Sequence, residues 1–247
     1  MDAGVVSFKL CERGLECETC PLDRALRGLD EHPVRPETPE REEGEYLEVQ
    51  TEPHLPAFRL QRRFFYSPWH VWVSVESKGN LRVGLDDFAQ QLLGPIYLVS
   101  LPEPGTTLGV RSPLVSVTNQ LAVFSLRTPV EGRVVWTNGQ LANRPSLVNR
   151  APHTLGSLML VEPRDLQTTL RDLRYGEQAQ IWLTRESQNL GAALAEMLRA
   201  QRPQAVGETL QDGGAPSPDA LRWLRTDPAF TAVVERFLGL HPLTRGR

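Results

Sequence analysis

A chain of 247 residues with a formal net charge of −3 has room for one medium domain with extensions, or two small domains, at ~100–200 residues per domain. Its basic residues are almost all arginine, scattered except for Arg59, Arg62 and Arg63 and the pair Arg245 and Arg247, which leaves no basic stripe for nucleic acid. No window approaches ~18 consecutive apolar residues, and Met1 to Leu10 lacks a basic stretch leading into an apolar one, so a soluble cytoplasmic protein without membrane contact is expected.

Cys11, Cys17 and Cys20 fall within ten residues. Three thiols cannot all pair internally, and such a cluster without a secretion signal points to metal or redox chemistry rather than a disulfide framework. The Cys17-x2-Cys20 pair is spaced to span an ion, and with Cys11 it would supply three thiolates to a zinc or iron–sulfur centre. His32, a carboxylate, water or a second chain would complete the set. Two other readings stay open, redox thiols without a metal and a purely structural role. The apolar pair Leu22 and Leu26, followed by Gly28, predicts a short helix just after Cys20. That helix would lower thiol pKa through its N-terminal partial charge, against Glu12, Glu16 and Glu18. Residues 1–29 therefore read as a cysteine segment, and 30–56, rich in Glu and Pro with little to bury, as a linker.

The next stretch is β-rich. Val71, Val73 and Val75 alternate with Trp72 and Ser74, and Glu76 to Asn80 reads as a turn. Leu81 and Val83 resume the alternation, predicting a hairpin. Asp86 or Asp87 then caps a helix carrying Phe88 and Leu92, ended by Gly94 and Pro95. Strands are expected at Ile96–Leu101 and Leu114–Val117 around a turn at Pro102 to Gly105. The alternation returns at Leu121, Val123 and Leu126 and again from Val134 to Trp136, in the manner of a small barrel or sandwich. Beyond it, Leu190, Ala193, Leu194, Met197 and Leu198 form one helical face. Ser217-Pro218 and Thr226-Asp227-Pro228 look like the starts of two more helices, the last striped by Phe230, Val233, Val234 and Phe237.

Several motifs between Tyr66 and Trp182 stand in one order. They are His70-x-Trp72-Val73, the run Val83-Gly84-Leu85-Asp86-Asp87-Phe88-Ala89-Gln90, Leu93-Gly94-Pro95-Ile96, and Leu101-Pro102-Glu103-Pro104-Gly105. Pro129-Val130-Glu131-Gly132-Arg133-Val134 follows, then Asn138, Leu141, Pro145, Leu147, Val148, Asn149 and Pro152. In this order they resemble the H protein of the glycine cleavage system. The resemblance implies a mainly β fold, the barrel-sandwich hybrid of lipoyl domains, over 57–185, and the helical signals beyond it read as a C-terminal extension over 186–247. Weaker likeness links the C-terminal part, with Gln211-Asp212-Gly213-Gly214, to extensions on other bacterial H-like proteins.

The resemblance also implies a carrier working through a lipoyl group on one lysine of a Glu-Ser-Val-Lys-Ala hairpin, and here the chain departs from it. Counting back without gaps from Thr128-Pro129 places Thr118-Asn119-Gln120-Leu121-Ala122 at that hairpin, with Leu121 in the lysine position. The chain has two lysines, Lys9 and Lys78, and neither lies there. Lys78, beside Glu76-Ser77, reads as a solvated turn lysine. No lipoate is expected, because the amide to lipoate needs an amine.

Thr118, Asn119, Gln120 and Leu121 stand where the family docks against enzymes, which leaves a partner-facing tip or an ordinary turn as the two readings. His70, Trp72 and His153 read as packing or strand-end residues, and no GxSxG, HExxH or P-loop pattern is present. The expectation is therefore a binding or accessory protein rather than an enzyme, an adaptor that docks a protein partner through its β body. A redox or metal-delivery subunit using the three cysteines is the alternative. A true glycine cleavage carrier is disfavoured by Leu121.

Overall fold

The computed structural model describes residues 46–49, 55–201 and 220–239, all within one compact unit, Arg41–Arg247. The cysteine segment, with Cys11, Cys17, Cys20, His32 and the short helix expected after them, lies outside the described residues.

Three antiparallel sheets carry the body. Strands β1 (Tyr46–Val49) and β2 (Phe58–Gln61) form a two-stranded ribbon. The largest sheet is built from β3 (Phe65–Tyr66), β4 (Val71–Val75), β5 (Leu81–Leu85), β7 (Thr107–Leu108), β10 (Gly132–Thr137) and β11 (Met159–Pro163), in the order β3-β4-β5-β11-β10-β7. A three-stranded sheet has β8 (Pro113–Thr118) between β6 (Leu98–Ser100) and β9 (Val123–Arg127). The mainly β, H-type body expected from the motifs is what the chain forms.

Seven α-helices and a single 3-10 turn at Ser77–Gly79 complete the described residues. The α-helices are α1 (Asp87–Leu93), α2 (Gln140–Asn143), α3 (Leu147–Arg150), α4 (Leu166–Arg171), α5 (Gly176–Gln201), α6 (Ala220–Leu224) and α7 (Phe230–Leu238). The hairpin expected at 71–85 forms, with Val71 opposite Leu85 and Val75 opposite Leu81. Of the two candidate caps, Asp86 takes the role, its side chain accepting from the Ala89 N–H at 2.8 Å. Gly94 ends α1 with φ +69°, a backbone angle that glycine adopts without strain.

Two structural features differ from the sequence expectation. Part of the segment read as a linker is a strand, since β1 pairs with β2 and buries Val49. The boundary drawn at 185/186 falls inside α5, which runs unbroken from Gly176 to Gln201. Its buried line begins early, at Ala179 and Leu183, and continues through Ser187, Leu190 and Leu194, so the helix packs on the body along most of its length. Within β11, which lies between β5 and β10, Met159, Leu160 and Val161 are all buried. A strand covered on both faces shows no alternation.

The core places the motif residues against one another. Trp72 is fully buried, its indole N–H donating to the Pro152 carbonyl at 3.1 Å. Gly84 stands opposite it in the β4–β5 pair, and a Cβ there would come within 2.4 Å of the Trp72 ring. Tyr66 is likewise buried, its hydroxyl accepting from the Gln61 N–H at 2.6 Å and donating to the Gln61 carbonyl at 3.0 Å. Burial raises its pKa well above the ordinary phenol value. Trp182 packs near His70 with ring centroids 4.8 Å apart, bringing α5 onto the β4 end of the sheet.

His153 sits among the rings of Tyr46, Phe64 and Trp72, and burial pushes its pKa down from 6.5 to about 4. Above the unfolded-state value neither state is protonated there. As pH falls through the window from 6.5 to about 4, the unfolded chain takes the proton first and stability is lost. The shift corresponds to about 3 kcal/mol. Urea unfolding at pH 7 and pH 4 is expected to show His153→Phe losing about 3 kcal/mol less on acidification than the natural chain; equal losses would contradict this.

Candidate functional site

The turn between β8 and β9, residues 119–122, is the segment that the motif count sets against the family's lysine hairpin. Its geometry is set mostly by Asn119, which is buried. The Asn119 N–H donates to the Ala122 carbonyl at 3.1 Å. Its side-chain oxygen accepts from the backbone N–H groups of Leu121 at 2.8 Å and Ala122 at 3.1 Å. Its amide NH2 donates to the Leu93 carbonyl at 2.8 Å. One side chain thus closes the turn and fastens it to the end of α1.

Around that turn, Gln120 is exposed and its side-chain amide donates to the Arg225 carbonyl at 2.9 Å. Leu121 is half-buried and packs against the core. Thr118 lies between Leu98 on β6 and Val123 on β9, and cross-strand neighbours share a face. Leu98 and Val123 are both exposed, as is the adjoining Tyr97, so this end of the sheet shows an apolar outer row. The opposite face, with Val99, Val117 and Phe124, is buried.

The end of α1 is where the remote segments meet. The last four carbonyls of a helix have no partner within it, and in this seven-residue helix they meet donors from three other places. Asn149 donates its amide to the carbonyls of Gly94 at 2.8 Å and Gln90 at 3.3 Å, and accepts from the Ile96 N–H at 3.0 Å. Asn119 takes the Leu93 carbonyl, and the Arg225 guanidinium donates to that of Gln91. Burial lowers the Arg225 pKa to about 10. Gly94 leaves room for this arginine, since a Cβ there would lie 2.9 Å from its Cδ.

The start of the same helix is also anchored. Asp87 accepts from the Arg59 N–H at 2.8 Å, joining α1 to β2, and from the side chains of Gln90 at 2.7 Å and Gln91 at 2.8 Å. Burial raises its pKa, opposed by these hydrogen bonds.

Of the residues singled out in the sequence, Thr118, Asn119, Gln120 and Leu121 are brought together at one tip. Lys78, with φ +67°, lies in the turn joining β4 to β5, at the opposite end of that hairpin from α1. His70 and His153 are both buried, and His70 is held by Asp86 at 2.8 Å. Arg225 and the capping role of Asn149 were not singled out. Asn149 lay inside a matched motif, whereas Arg225 has only its place just before Thr226-Asp227-Pro228. Among the described residues, no group of three or more His, Cys, Asp or Glu could hold a metal, and no helix is long and apolar enough to cross a membrane. The tip offers hydrogen bonds and apolar contact, and the Leu121 side chain has no amine.

An antiparallel body of this topology with a short capped helix behind a β-hairpin is of the H-protein, lipoyl-domain class. The family described as Glycine cleavage H-protein matches residues 64–186. The glycine cleavage system H protein of Oceanobacillus iheyensis is 42% identical over 106 residues, 43% of this chain and 83% of that protein. The one from Anoxybacillus flavithermus is 41% identical over 107 residues, 43% of this chain and 84% of that protein. A crystal structure of the Mycobacterium marinum glycine cleavage system H protein aligns with a TM-score of 0.40 at 26% identity, covering 42% of this chain and 87% of that one. The chain belongs to the glycine cleavage H-protein family.

Removing the Asn119 side chain would leave the N–H groups of Leu121 and Ala122 and the Leu93 carbonyl without their partner. Asn119→Ala is expected to lower the unfolding free energy by about 2 kcal/mol, read by urea titration, and to speed amide exchange at Leu121 and Ala122. A change within about 0.5 kcal/mol, the range of ordinary surface substitutions, would show that the turn does not depend on it.

Proposed function

We propose that this protein is a non-lipoylated H-type adaptor, which docks a protein partner through its β body and does no covalent chemistry at the hairpin. The single observation that carries this is that no lysine follows Lys78; the motif count sets Leu121 against the family's lysine, in a turn whose backbone is fixed by Asn119. A lipoyl group needs a primary amine there, and leucine supplies a hydrocarbon. Two further features support docking. Tyr97, Leu98 and Val123 form exposed apolar surface beside the turn, and Asn119 pre-organises the turn, which lowers the entropy cost of binding.

The docking surface in this reading includes Thr118, Asn119, Gln120 and Leu121. On spacing alone, Cys11, Cys17 and Cys20 are kept as a zinc, iron–sulfur or thiol site. The protein is read as accessory rather than catalytic, acting in the cytoplasm.

Production of the full chain together with lipoate, a lipoate ligase and an authentic H protein as internal control tests the reading. Intact-mass measurement is expected to show the control modified and this chain unmodified. A lipoyl-sized increment, mapped by digestion to Lys78 or Lys9, would overturn the adaptor reading in favour of a relocated carrier.

A further inference from the structure

We infer that α6 and α7 are a built-in clamp on the β8–β9 hairpin at its turn, and that an outside protein reaches the Leu121 side of that turn only by displacing them, while Tyr97, Leu98 and Val123 stay open beside it. This rests on the reading of the hairpin as a docking surface and adds how that surface is controlled.

The contacts reach the hairpin at its turn and at the last residue of β9, and reach α1 between the two in the chain. At the turn, Gln120 donates to the Arg225 carbonyl at 2.9 Å, and the Arg225 guanidinium reaches the Gln91 carbonyl. At the far end, Arg127 donates from Nε to the Gly239 carbonyl at 3.0 Å. Between them Phe237 meets Phe88 of α1, with ring centroids 5.6 Å apart.

The body is shaped for this pair at two glycines. Gly94 admits Arg225, and Gly239, in the left-handed region with φ +61°, lies where a Cβ would come within 2.4 Å of the Trp69 ring. Phe230, Val234, Phe237 and Leu238 are buried, so apolar contact provides the hold. Arg225 opposes it, because its Nε is buried and finds no hydrogen-bond partner among the described residues. Its guanidinium is spent on a carbonyl. Burying a cation without a carboxylate costs free energy, so the pair is held less tightly than its apolar residues alone would hold it. That balance makes it displaceable while the sheets stay folded.

The test uses the full chain with Cys11, Cys17 and Cys20 replaced by serine and Leu121→Cys as the reporter, alkylated by a maleimide carrying a bulky polyethylene glycol. Val234→Asp puts a charge in the buried face of α7 and is expected to speed alkylation at least about tenfold, a change of roughly 1.4 kcal/mol in local opening. An unchanged rate, with cooperative unfolding retained, would overturn the inference. Should Val234→Asp unfold the body, the rate is read instead on the reporter chain alone in rising urea. An increase while the amides of β4, β5 and β11 remain protected supports the inference, and an increase only with global unfolding overturns it. Lipoylation of the natural chain would sink the adaptor reading but would leave this accessibility result unchanged.

Discussion

The carboxylate of Asp86 is shared between the start of α1 and the entry of β4, which the Val71–Leu85 pairing brings side by side. One oxygen caps α1 by accepting from the Ala89 N–H, and the other lies 2.8 Å from Nδ1 of His70. Both side chains are buried, where an unpartnered polar group would be costly. The backbone adds to the link, with the Asp86 N–H donating to the His70 carbonyl at 3.0 Å. His70 itself has φ +58°, a conformation that costs a non-glycine residue free energy unless its surroundings fix it. Ser67 does part of that work, its hydroxyl accepting from the N–H groups of Trp69 and Val71. The ring of His70 then stacks on Phe88 with centroids 4.1 Å apart. The first turn of α1 is thereby fixed to the entry of β4.

Fixing one end of a seven-residue helix fixes the other, and the other end is where the hairpin is held. The carbonyls of Gln91, Leu93 and Gly94 accept from Arg225, Asn119 and Asn149 in turn. These donors come from the C-terminal helices, the β8–β9 turn and α3, segments far apart in the chain. A longer helix would satisfy most of its carbonyls internally. A short one concentrates unpaired acceptors in a small volume, which is why three distant side chains converge there and why the hairpin position depends on α1 as much as on its own strands. Gln120, whose side chain donates to the Arg225 carbonyl, adjoins Leu121, so the turn and the C-terminal helices meet at the same few residues.

Much of the body was legible because its signals are local. Alternating valines gave β4, Asp86 and Gly94 bounded α1, and Gly84 and Trp72 stand in adjacent motifs that touch across one strand pair. Other features left weaker traces. Leu158 to Val161 are all buried, so β11 shows no period of two. Tyr46–Val49 is a short strand inside a Glu- and Pro-rich stretch and is stabilised only by pairing with β2. The start of α5 carries one buried residue per turn, at Ala179 and Leu183, too sparse to mark its onset. Arg225 could not be assigned from composition, since its role comes from a carbonyl 134 positions away.

The central physical claim is that the hairpin is positioned through α1, from Asp86 at its start to Asn119 at its end. Hydrogen-exchange mass spectrometry of Asp86→Ala against the natural chain tests this most directly. Faster exchange is expected in α1 and in residues 118–123 together, with β10 and β11 unchanged. Faster exchange confined to residues 86–89, with the hairpin as protected as before, would contradict the account.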